Sequence, residues 1–443
     1  MHKLNLVGLL WAILLVPMYT QAQQVRQLTL KEAVALAKEN SNQLRTDSLQ
    51  IAISKQQTKQ QASAMLPQLQ LNASYRRLSN NITPFTITLP DASFQINPQI
   101  LDQSYNSIQL TQNLYQGGRL KNMHKSLQKV QESSELDFQQ SQLNIEDQVV
   151  GLWYHLHNAH LSKEILNENI ETLKKKEEEM DLKKNQGIVL ANDVLKISLS
   201  ITNLQSSLKD VEELEASLNY TLCIATGLEV NTSIETPETE VVVPQDQTSV
   251  EDFITDAITH RPDIQSLTLQ KEASLYRVKA SKAGYLPVLQ LMGSFSYDRP
   301  NQRIIPNVAE FNYSAYAGVG LSWNLSSFYT NQHNVKESQL AHAQITESIQ
   351  LVEDHIEIEV QNKYLAYKKM QEKIALAEKA LEQAEENFRV EQTKLDTQIA
   401  TTTDFLEANT YLLQAELNLT TAKANAALAY QQLQIAASHT LNK

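Results

Sequence analysis

A seven-residue repeat of apolar side chains in the last part of the chain constrains its fold more than any other feature. Two sets of residues recur every seven positions. The first set is mostly bulky and contains Phe405, Leu412, Leu419, Ala426 and Leu433; the second is all alanine and contains Ala408, Ala415, Ala422, Ala429 and Ala436. Such repeats are typical of helices that supercoil against neighbours, and alanine lets their axes approach closely. Since no proline or glycine follows Gly320, we predict two antiparallel helices at about 327–395 and 403–437.

The first helix of this pair is too long for an ordinary globular domain. It carries a seam of its own, formed by Ile374, Leu381, Phe388 and Leu395. At ~1.5 Å per residue it reaches ~100 Å. A helix of this length predicts a coiled-coil or tube-like assembly.

The amino terminus has the pattern of an export signal. Lys3 precedes an apolar run over residues 4–16, and small residues at 20–22 form a cleavage pattern before Gln23. The apolar run is too short to cross a membrane comfortably. We therefore expect residues 1–22 to be removed and the mature protein to be exported.

Composition excludes several classes of protein. The formal net charge of −12 and the absence of a basic stretch argue against nucleic acid as a partner. Cys223 is the only cysteine, so there is no disulfide framework, and its place in an apolar pattern indicates a packing residue. No second long apolar run follows the first, so we predict no transmembrane helix.

The chain is built from two copies of one unit. The segment 66–71, Leu-Pro-Gln-Leu-Gln-Leu, matches 286–291, Leu-Pro-Val-Leu-Gln-Leu, at a shift of 220 residues; the segment 110–114 matches 321–325 at a shift of 211. The second shift also aligns residues 192–195 with 403–406. We assign the copies to 23–227 and 249–443, joined by an acidic, proline-containing linker at 228–248.

Each copy contains two stretches in which apolar and polar residues alternate with a period of two. They predict strands at about 68–79, 104–115, 288–298 and 313–325, and the first copy has long helices at about 117–186 and 192–227. The loop between the first two strands is long and polar and contains Pro84, Pro90 and Pro98.

The alternation allows two interpretations. The apolar strand faces could cover a soluble core, which makes the protein an exported coiled-coil structural or binding protein. Alternatively, they face lipid in a membrane barrel, with water on the polar side. The apolar seams of the long helices are expected to pack against each other, so they offer no core for the sheet to cover. The second interpretation therefore fits better. Because single-chain barrels begin at ~8 strands, several chains must then share one barrel.

The ordered whole resembles the TolC-like outer membrane factors. The similarity covers essentially all of the mature chain and is clearest at residues 397–410, in the alanine seam that follows, and at 430–435, with a counterpart at 187–194. The resemblance implies an α+β membrane protein: a homotrimer whose four strands per chain form a twelve-stranded outer-membrane barrel, continuous with a helical periplasmic tunnel. It also implies export together with a periplasmic adaptor and an inner-membrane pump of the RND, ABC or MFS type.

Candidate site residues lie at the turns between long helices, near 184–193 and 395–404. We take Asn192 and Thr403 as helix caps, which puts Asp193 and Asp404 in first helical turns, where carboxylates complement the helix dipole. The resemblance implies a further role, because Asp404 and Glu407 match aspartate positions at the family's entrance and predict, with Asp193, a cation-selective ring. The family holds its entrance closed with a network that includes an arginine and a tyrosine. Ala400 stands at the position of that arginine, and Leu395 stands near the position of that tyrosine.

A metal site is not expected. His160 and Glu164 are spaced i,i+4 on a helix, but we do not expect His155 and His157 to share that face. The charged run 174–184 is interpreted as a solvated or adaptor-facing surface. Since no nucleophile-elbow, phosphate-loop or HExxH pattern occurs, we predict neither an enzyme nor a bound cofactor.

Overall fold

The computed structural model describes residues 25–96, 98–237, 244, 248–301 and 303–439. The predicted export signal lies outside these residues, as does much of the predicted linker. The chain divides into two compact units, and both sequence copies contribute to each. One unit takes the chain up to residue 42, 142–257 and 358 onward; the other takes 43–141 and 258–357.

The described residues form four long helices, together with shorter helices and strands. The strands are β1 (Val25–Gln27), β2 (Gln68–Arg77), β3 (Thr86–Leu89), β4 (Ala92–Gln95), β5 (Asp102–Tyr115), β6 (Ser233–Glu235), β7 (Val288–Asp298) and β8 (Asn312–Ser322). The helices are α1 (Leu30–Asn40), α2 (Asn42–Ser63), α3 (Arg119–Asn185), α4 (Ala191–Thr226), α5 (Val250–His260), α6 (Pro262–Lys282), α7 (Ser327–Asp396) and α8 (Thr402–Ala436). The four long helices are α3, α4, α7 and α8. At ~1.5 Å per residue, the 70 residues of α7 span ~105 Å.

A four-stranded antiparallel sheet forms the β part of the second unit. Its strand order is β2-β5-β7-β8, so the first two strands come from one sequence copy and the last two from the other. Helices α2, α3, α6 and α7 join the strands at one end, and the opposite end carries the loops 78–101 and 299–311.

The register separates an apolar face from a polar face, as the alternation predicted. One row across the sheet consists of Leu71, Ile108, Phe295 and Ala315. The adjacent row, on the other face, consists of Asn72, Ser107, Ser296 and Ser314.

No described part of the chain covers the apolar face of the sheet. The exposed fraction of the side chain is 72 % for Leu71, 61 % for Val319 and 68 % for Leu321. Large apolar residues of a soluble sheet normally pack on a core. An exposed apolar face of this size indicates contact with something outside the chain.

Small hydroxyl side chains join the helices of this second unit. Ser126 Oγ donates to the carbonyl oxygen of Ala273 at 2.9 Å, and the hydroxyls of Ser133 and Ser266 are 2.8 Å apart. Ser266 also donates to Asp137 at 2.5 Å. Short side chains permit close helix packing while their polar atoms remain satisfied.

The first unit contains the main apolar core. Val149, Leu156 and Leu222 are among its most buried members, and Trp153 Nε1 donates to the carbonyl of Leu28 at 2.8 Å. Cys223 is buried here; its thiol donates to the Thr232 carbonyl at 3.5 Å, and burial raises its pKa. These properties agree with the packing role predicted for it.

Three features of the fold differ from, or go beyond, the sequence expectation. The polar loop before β5 contains a hairpin, β3 with β4, and the linker contains β6, which pairs in parallel with β1. Burial along α8 widens beyond the seam toward its end, where Ala427, Leu428 and Ile435 join the main core. Within the described residues, no helix has both the length and the apolar character needed to cross a membrane.

Candidate functional site

The two turns between long helices have the same backbone hydrogen-bond pattern. After α3, the N–H groups of Gly187 and Ile188 bind the carbonyls of Lys184 and Lys183; after α7, those of Gln398 and Ile399 bind the carbonyls of Leu395 and Lys394. Each is a Schellman C-cap, with a left-handed residue at the turn. That residue is Gly187 (φ 73°) in the first copy and Gln398 (φ 59°) in the second.

Apolar side chains from all four long helices pack behind these turns. The cluster contains Ile170, Leu173, Met180, Ile197, Ile201, Leu395 and Phe405. The ring centroids of Phe388 and Phe405 are 5.5 Å apart. Leu395 is therefore a core residue, and in this chain it supplies packing where the resemblance leads one to look for a hydrogen-bonding tyrosine.

Asp404 lies in the first turn of α8, as predicted, but the cap that precedes it is Thr401. The Thr401 hydroxyl accepts a hydrogen bond from the Asp404 N–H at 3.3 Å, while Asp404 Oδ2 accepts from the N–H and hydroxyl of Thr401 at 2.9 and 2.7 Å. This is a reciprocal capping box. The backbone and side-chain hydrogen bonds from Thr401 lower the pKa of Asp404, so it is ionised at neutral pH.

The predicted caps Thr403 and Asn192 are therefore wrong. Thr403 lies inside α8, one residue before Asp404, and α4 begins after Leu190 without a side-chain cap. The reason is local: Thr401 is the threonine whose third following residue is acidic, which allows the reciprocal bonds.

The other two predicted acidic residues also lie near helix starts. Glu407 is exposed and accepts a hydrogen bond from the Tyr411 hydroxyl at 2.8 Å. Asp193 lies 3.6 Å from the ammonium of Lys196, which also donates to the Thr403 hydroxyl at 3.0 Å. Lys196 thus connects the start of α4 to the start of α8.

The two turns, between α3 and α4 and between α7 and α8, are called the tip below. A buried lysine that the sequence interpretation missed lies close to the tip. Lys176 belongs to the run expected to be solvated, yet it is 6 % exposed and its ammonium lies 5.7 Å from the centre of the Phe405 ring. It forms ion pairs with Asp396 at 2.5 Å and Glu179 at 2.8 Å. Burial acts to lower the pKa of Lys176, but hydrogen bonds to Asp396 and Glu179 outweigh it, so the pKa is raised.

The histidines do not arrange themselves as expected. His157 and His160 share a helix face, and each places Nδ1 near the Thr236 hydroxyl, at 3.0 and 3.1 Å. Residues three apart on a helix are neighbours, so the separation expected between these two was wrong. His155 points elsewhere and is exposed. No cluster of three or more His, Cys, Asp or Glu side chains suited to a metal ion occurs in the described parts of the chain.

A comparison with models of protein families agrees with this architecture. The family model described as outer membrane efflux protein matches residues 33–214 and 253–438, one match in each sequence copy. No curated protein sequence matches the chain.

Solved structures of similar fold include three bacterial outer-membrane proteins. VceC of Vibrio cholerae is 16 % identical, with a TM-score of 0.77 over 93 % of this chain and 97 % of that one. CmeC of Campylobacter jejuni is 17 % identical (TM-score 0.74, 94 % and 87 %), and MtrE of Neisseria gonorrhoeae is 15 % identical (TM-score 0.72, 93 % and 89 %). At such identities the likeness establishes the fold.

The family match covers most of the chain. It favours the interpretation in which the apolar face of the sheet contacts lipid over the one in which this face covers a soluble core. The function follows from the family: an exit duct in the outer membrane that extends into the periplasm and transports without catalysing a reaction. The chain belongs to the outer membrane efflux protein family.

Proposed function

We propose that three copies of this chain close one barrel in the outer membrane, from which their long helices continue as a coiled-coil tunnel. One observation carries the proposal: the four-stranded sheet has an exposed apolar face, and in the described residues its outer strands β2 and β8 each pair on one side only. A lipid-facing sheet must close, because an open edge leaves backbone groups unsatisfied in hydrocarbon. Three sets of four strands give the twelve that the resemblance implies.

The duct works passively, and its partners supply the energy. Channels of this family act with a periplasmic adaptor and an inner-membrane pump, here of the RND, ABC or MFS type. The helix turns support such docking, since they present apolar side chains to the outside: the exposed fraction is 73 % for Leu190 and 77 % for Ile399. A partner that covers these side chains gains the free energy of burying them.

The acidic residues at the tip form a cation-selective constriction in this proposal. The capping box uses only Oδ2 of Asp404 for its bonds to Thr401, and Asp404 and Glu407 both stay exposed. If three copies converge there, the fields of Asp404, Glu407 and Asp193 add at a narrow point. Complementing the helix dipole as part of the helix cap is the competing role of these carboxylates.

Purification and conductance test the proposal together. The detergent-extracted protein is expected to have three times the mass of the mature chain (the full chain is 50.1 kDa) and to form ion channels in planar bilayers. Recovery as a soluble monomer from a periplasmic extract contradicts the barrel.

Charge-neutral variants separate the two roles of the tip. Asp404→Asn with Glu407→Gln is expected to reduce cation preference with little change in assembly, whereas Glu386→Gln, an exposed carboxylate on α7, serves as the control. Unchanged selectivity with a less stable trimer assigns the acids to capping.

A further inference from the structure

Two guanidinium groups lie on the polar face of the sheet at its loop end. Arg76, next to last in β2, stands opposite Gln103. Its Nε donates to Gln103 Oε1 at 2.8 Å and its Nη2 to the Tyr105 hydroxyl at 3.0 Å. The guanidinium carbon lies 4.7 Å from the centre of the Tyr105 ring. Arg76 is thus held in one orientation by neutral partners, which leave its charge in place.

Arg303 reaches the same face from the loop 299–311. Its Nη2 donates to the hydroxyl of Ser314. Ser314 lies in the polar row with Ser296, Ser107 and Asn72. The second guanidinium is therefore also held over the polar face by a neutral oxygen.

The arginine next to Arg76 in sequence has the opposite environment. Arg77 points to the apolar face, where its Nη1 lies 3.3 Å from Asp102 Oδ1, and the Tyr75 hydroxyl donates to the same oxygen at 2.7 Å. Neighbouring residues of a strand point to opposite faces. Arg76 and Arg77 are thus two arginines at one level of the sheet, one on each side.

Carboxylates at this end partly offset the arginines. Asp298 is on the polar face, opposite Asn312 in the register, and its Oδ1 accepts the backbone N–H of Asn106 at 2.9 Å. Asp91 and Glu310 lie in the loops at the same end of the sheet. At the polar face itself, the guanidinium groups of Arg76 and Arg303 stand against the carboxylate of Asp298.

We propose that Arg76 and Arg303 form an anion-binding ring at the exit of the duct, which binds soluble carboxylate- or phosphate-bearing molecules that reach the loop end. The inference rests on the proposed trimer, in which the polar face lines the lumen and each chain contributes both arginines. Guanidinium groups match carboxylate and phosphate oxygens with paired donors. The ring lies at the loop end of the sheet, opposite the end at which α2, α3, α6 and α7 join the strands.

Screening determines the conditions in which the ring acts. The Debye length is ~30 Å at 0.01 M salt, ~10 Å at 0.1 M and ~3 Å at 1 M. At low salt, wall charges reach across a wide lumen, and at high salt they act only on contact. Binding of anions by the ring is therefore expected to weaken steeply with ionic strength.

Side-specific block of single channels tests the ring. A channel inserted from one chamber keeps its long helices in that chamber, so its loop end faces the other. Inorganic triphosphate added at the loop end, in ~0.01 M salt where the Debye length is ~30 Å, is expected to block the current at lower concentration than from the helix end. Arg76→Gln with Arg303→Gln is expected to weaken the loop-end block about tenfold, as the loss of ~1.4 kcal/mol implies.

Three further variants test whether the block depends on positive charge and on the polar face of the sheet. Arg77→Gln removes a charge at the same level on the lipid side and is expected to leave the block unchanged; Asp298→Asn is expected to strengthen it. Arg76→Lys keeps the charge but not the fork, and is expected to weaken the block less than Arg76→Gln does.

Each other result overturns a stated part of the account. Equal weakening by Arg77→Gln and Arg76→Gln assigns the effect to lipid headgroups or overall charge and contradicts the ring. Block of equal strength from both ends, or a block that Asp298→Asn weakens, also contradicts it. If the wild-type protein forms no channel, the proposed duct itself is wrong.

Discussion

Asn169 of α3 and Asn409 of α8 bind each other through two amide hydrogen bonds. Asn169 Nδ2 donates to Asn409 Oδ1 at 3.2 Å, and Asn409 Nδ2 donates to Asn169 Oδ1 at 3.0 Å. The exposed fractions are 7 % and 2 %. A slide of one helix by one turn, ~5.4 Å, breaks both bonds. This pair therefore favours one register of the two helices.

Removing one amide of this pair should cost more than removing both. Asn409→Leu leaves the buried amide of Asn169 without its partner, which costs ~1–3 kcal/mol. Leucine at both positions restores an apolar contact and most of the stability. Apparent melting temperatures in detergent measure the effect, with the exposed Asn418→Leu as control. If Asn409→Leu and Asn418→Leu have the same melting temperature, the pair does not contribute to stability.

The left-handed residue at the second turn gives a second prediction. Gln398 adopts φ 59°, whereas Gly187 fills the equivalent position of the first copy. A side chain in this conformation costs ~1–2 kcal/mol, so Gln398→Gly should stabilise the turn by ~1 kcal/mol after the entropy of glycine is deducted.

The reverse substitution is the control for this prediction. Gly187→Gln should destabilise the first turn, and the backbone is the cause, because an added Cβ meets no atom within 4 Å. Hydrogen exchange at the two turns measures both changes. Slower opening of the second turn is expected from Gln398→Gly; faster opening contradicts the assignment.

The histidine pair predicts how stability depends on pH. Burial, together with the nearby charge of His160, lowers the pKa of His157 from its ordinary value of 6.5. The unfolded chain therefore binds a proton before the folded chain does, and stability falls as pH drops below ~6.5. The charged groups that face the pair are Lys163, Glu215 and Glu235.

Variants of single histidines check this dependence. His157→Gln should reduce the loss of melting temperature between pH 7.5 and pH 5.5, whereas the exposed His155→Gln should leave it unchanged. A wild-type protein that becomes more stable at pH 5.5 contradicts the prediction, because the sign is then reversed.

The two faces of the sheet should differ in their tolerance of charge. Leu291 is on the apolar face, while Gln290 donates to Asn113 Oδ1 at 2.8 Å on the polar face. Arginine at Leu291 should cost ~2–4 kcal/mol near the bilayer midplane, and arginine at Gln290 should be mild. Heat dissociation of the proposed trimer in detergent compares the two variants, and equal effects argue against a lipid-facing sheet.

The features that the sequence predicted well are those with a local period. Alternation over 288–298 and the heptads before Leu395 depend only on which face of one strand or helix is apolar, and the structure has β7 at Val288–Asp298 and the end of α7 at Asp396. Helix starts were also predictable in principle, because Thr401 and Asp404 have the spacing of a capping box.

The features that the sequence did not predict depend on distant partners. Lys176 stands in a charged run, and only the approach of Asp396 and Phe405 buries it. His157 and His160 acquire their shared partner, Thr236, from a segment 76 residues or more away. The β3–β4 hairpin was hidden by prolines on either side of its short strands, where a polar loop was the simpler interpretation.

The central claim is that β8 of one copy pairs with β2 of the next, and disulfide formation across that edge tests it most directly. In a Cys223→Ala background, Asn72→Cys is combined in turn with cysteine at 312, 314, 316, 318 and 320, a range that allows for the stagger of a barrel. Ser296→Cys with Ser314→Cys, opposite within one chain, is the positive control; Ser107→Cys, on the inner strand β5, replaces Asn72→Cys as the negative control. The account predicts that at least one combination yields covalent trimers on oxidation. If the positive control forms its disulfide and no combination joins separate chains, the shared barrel is contradicted.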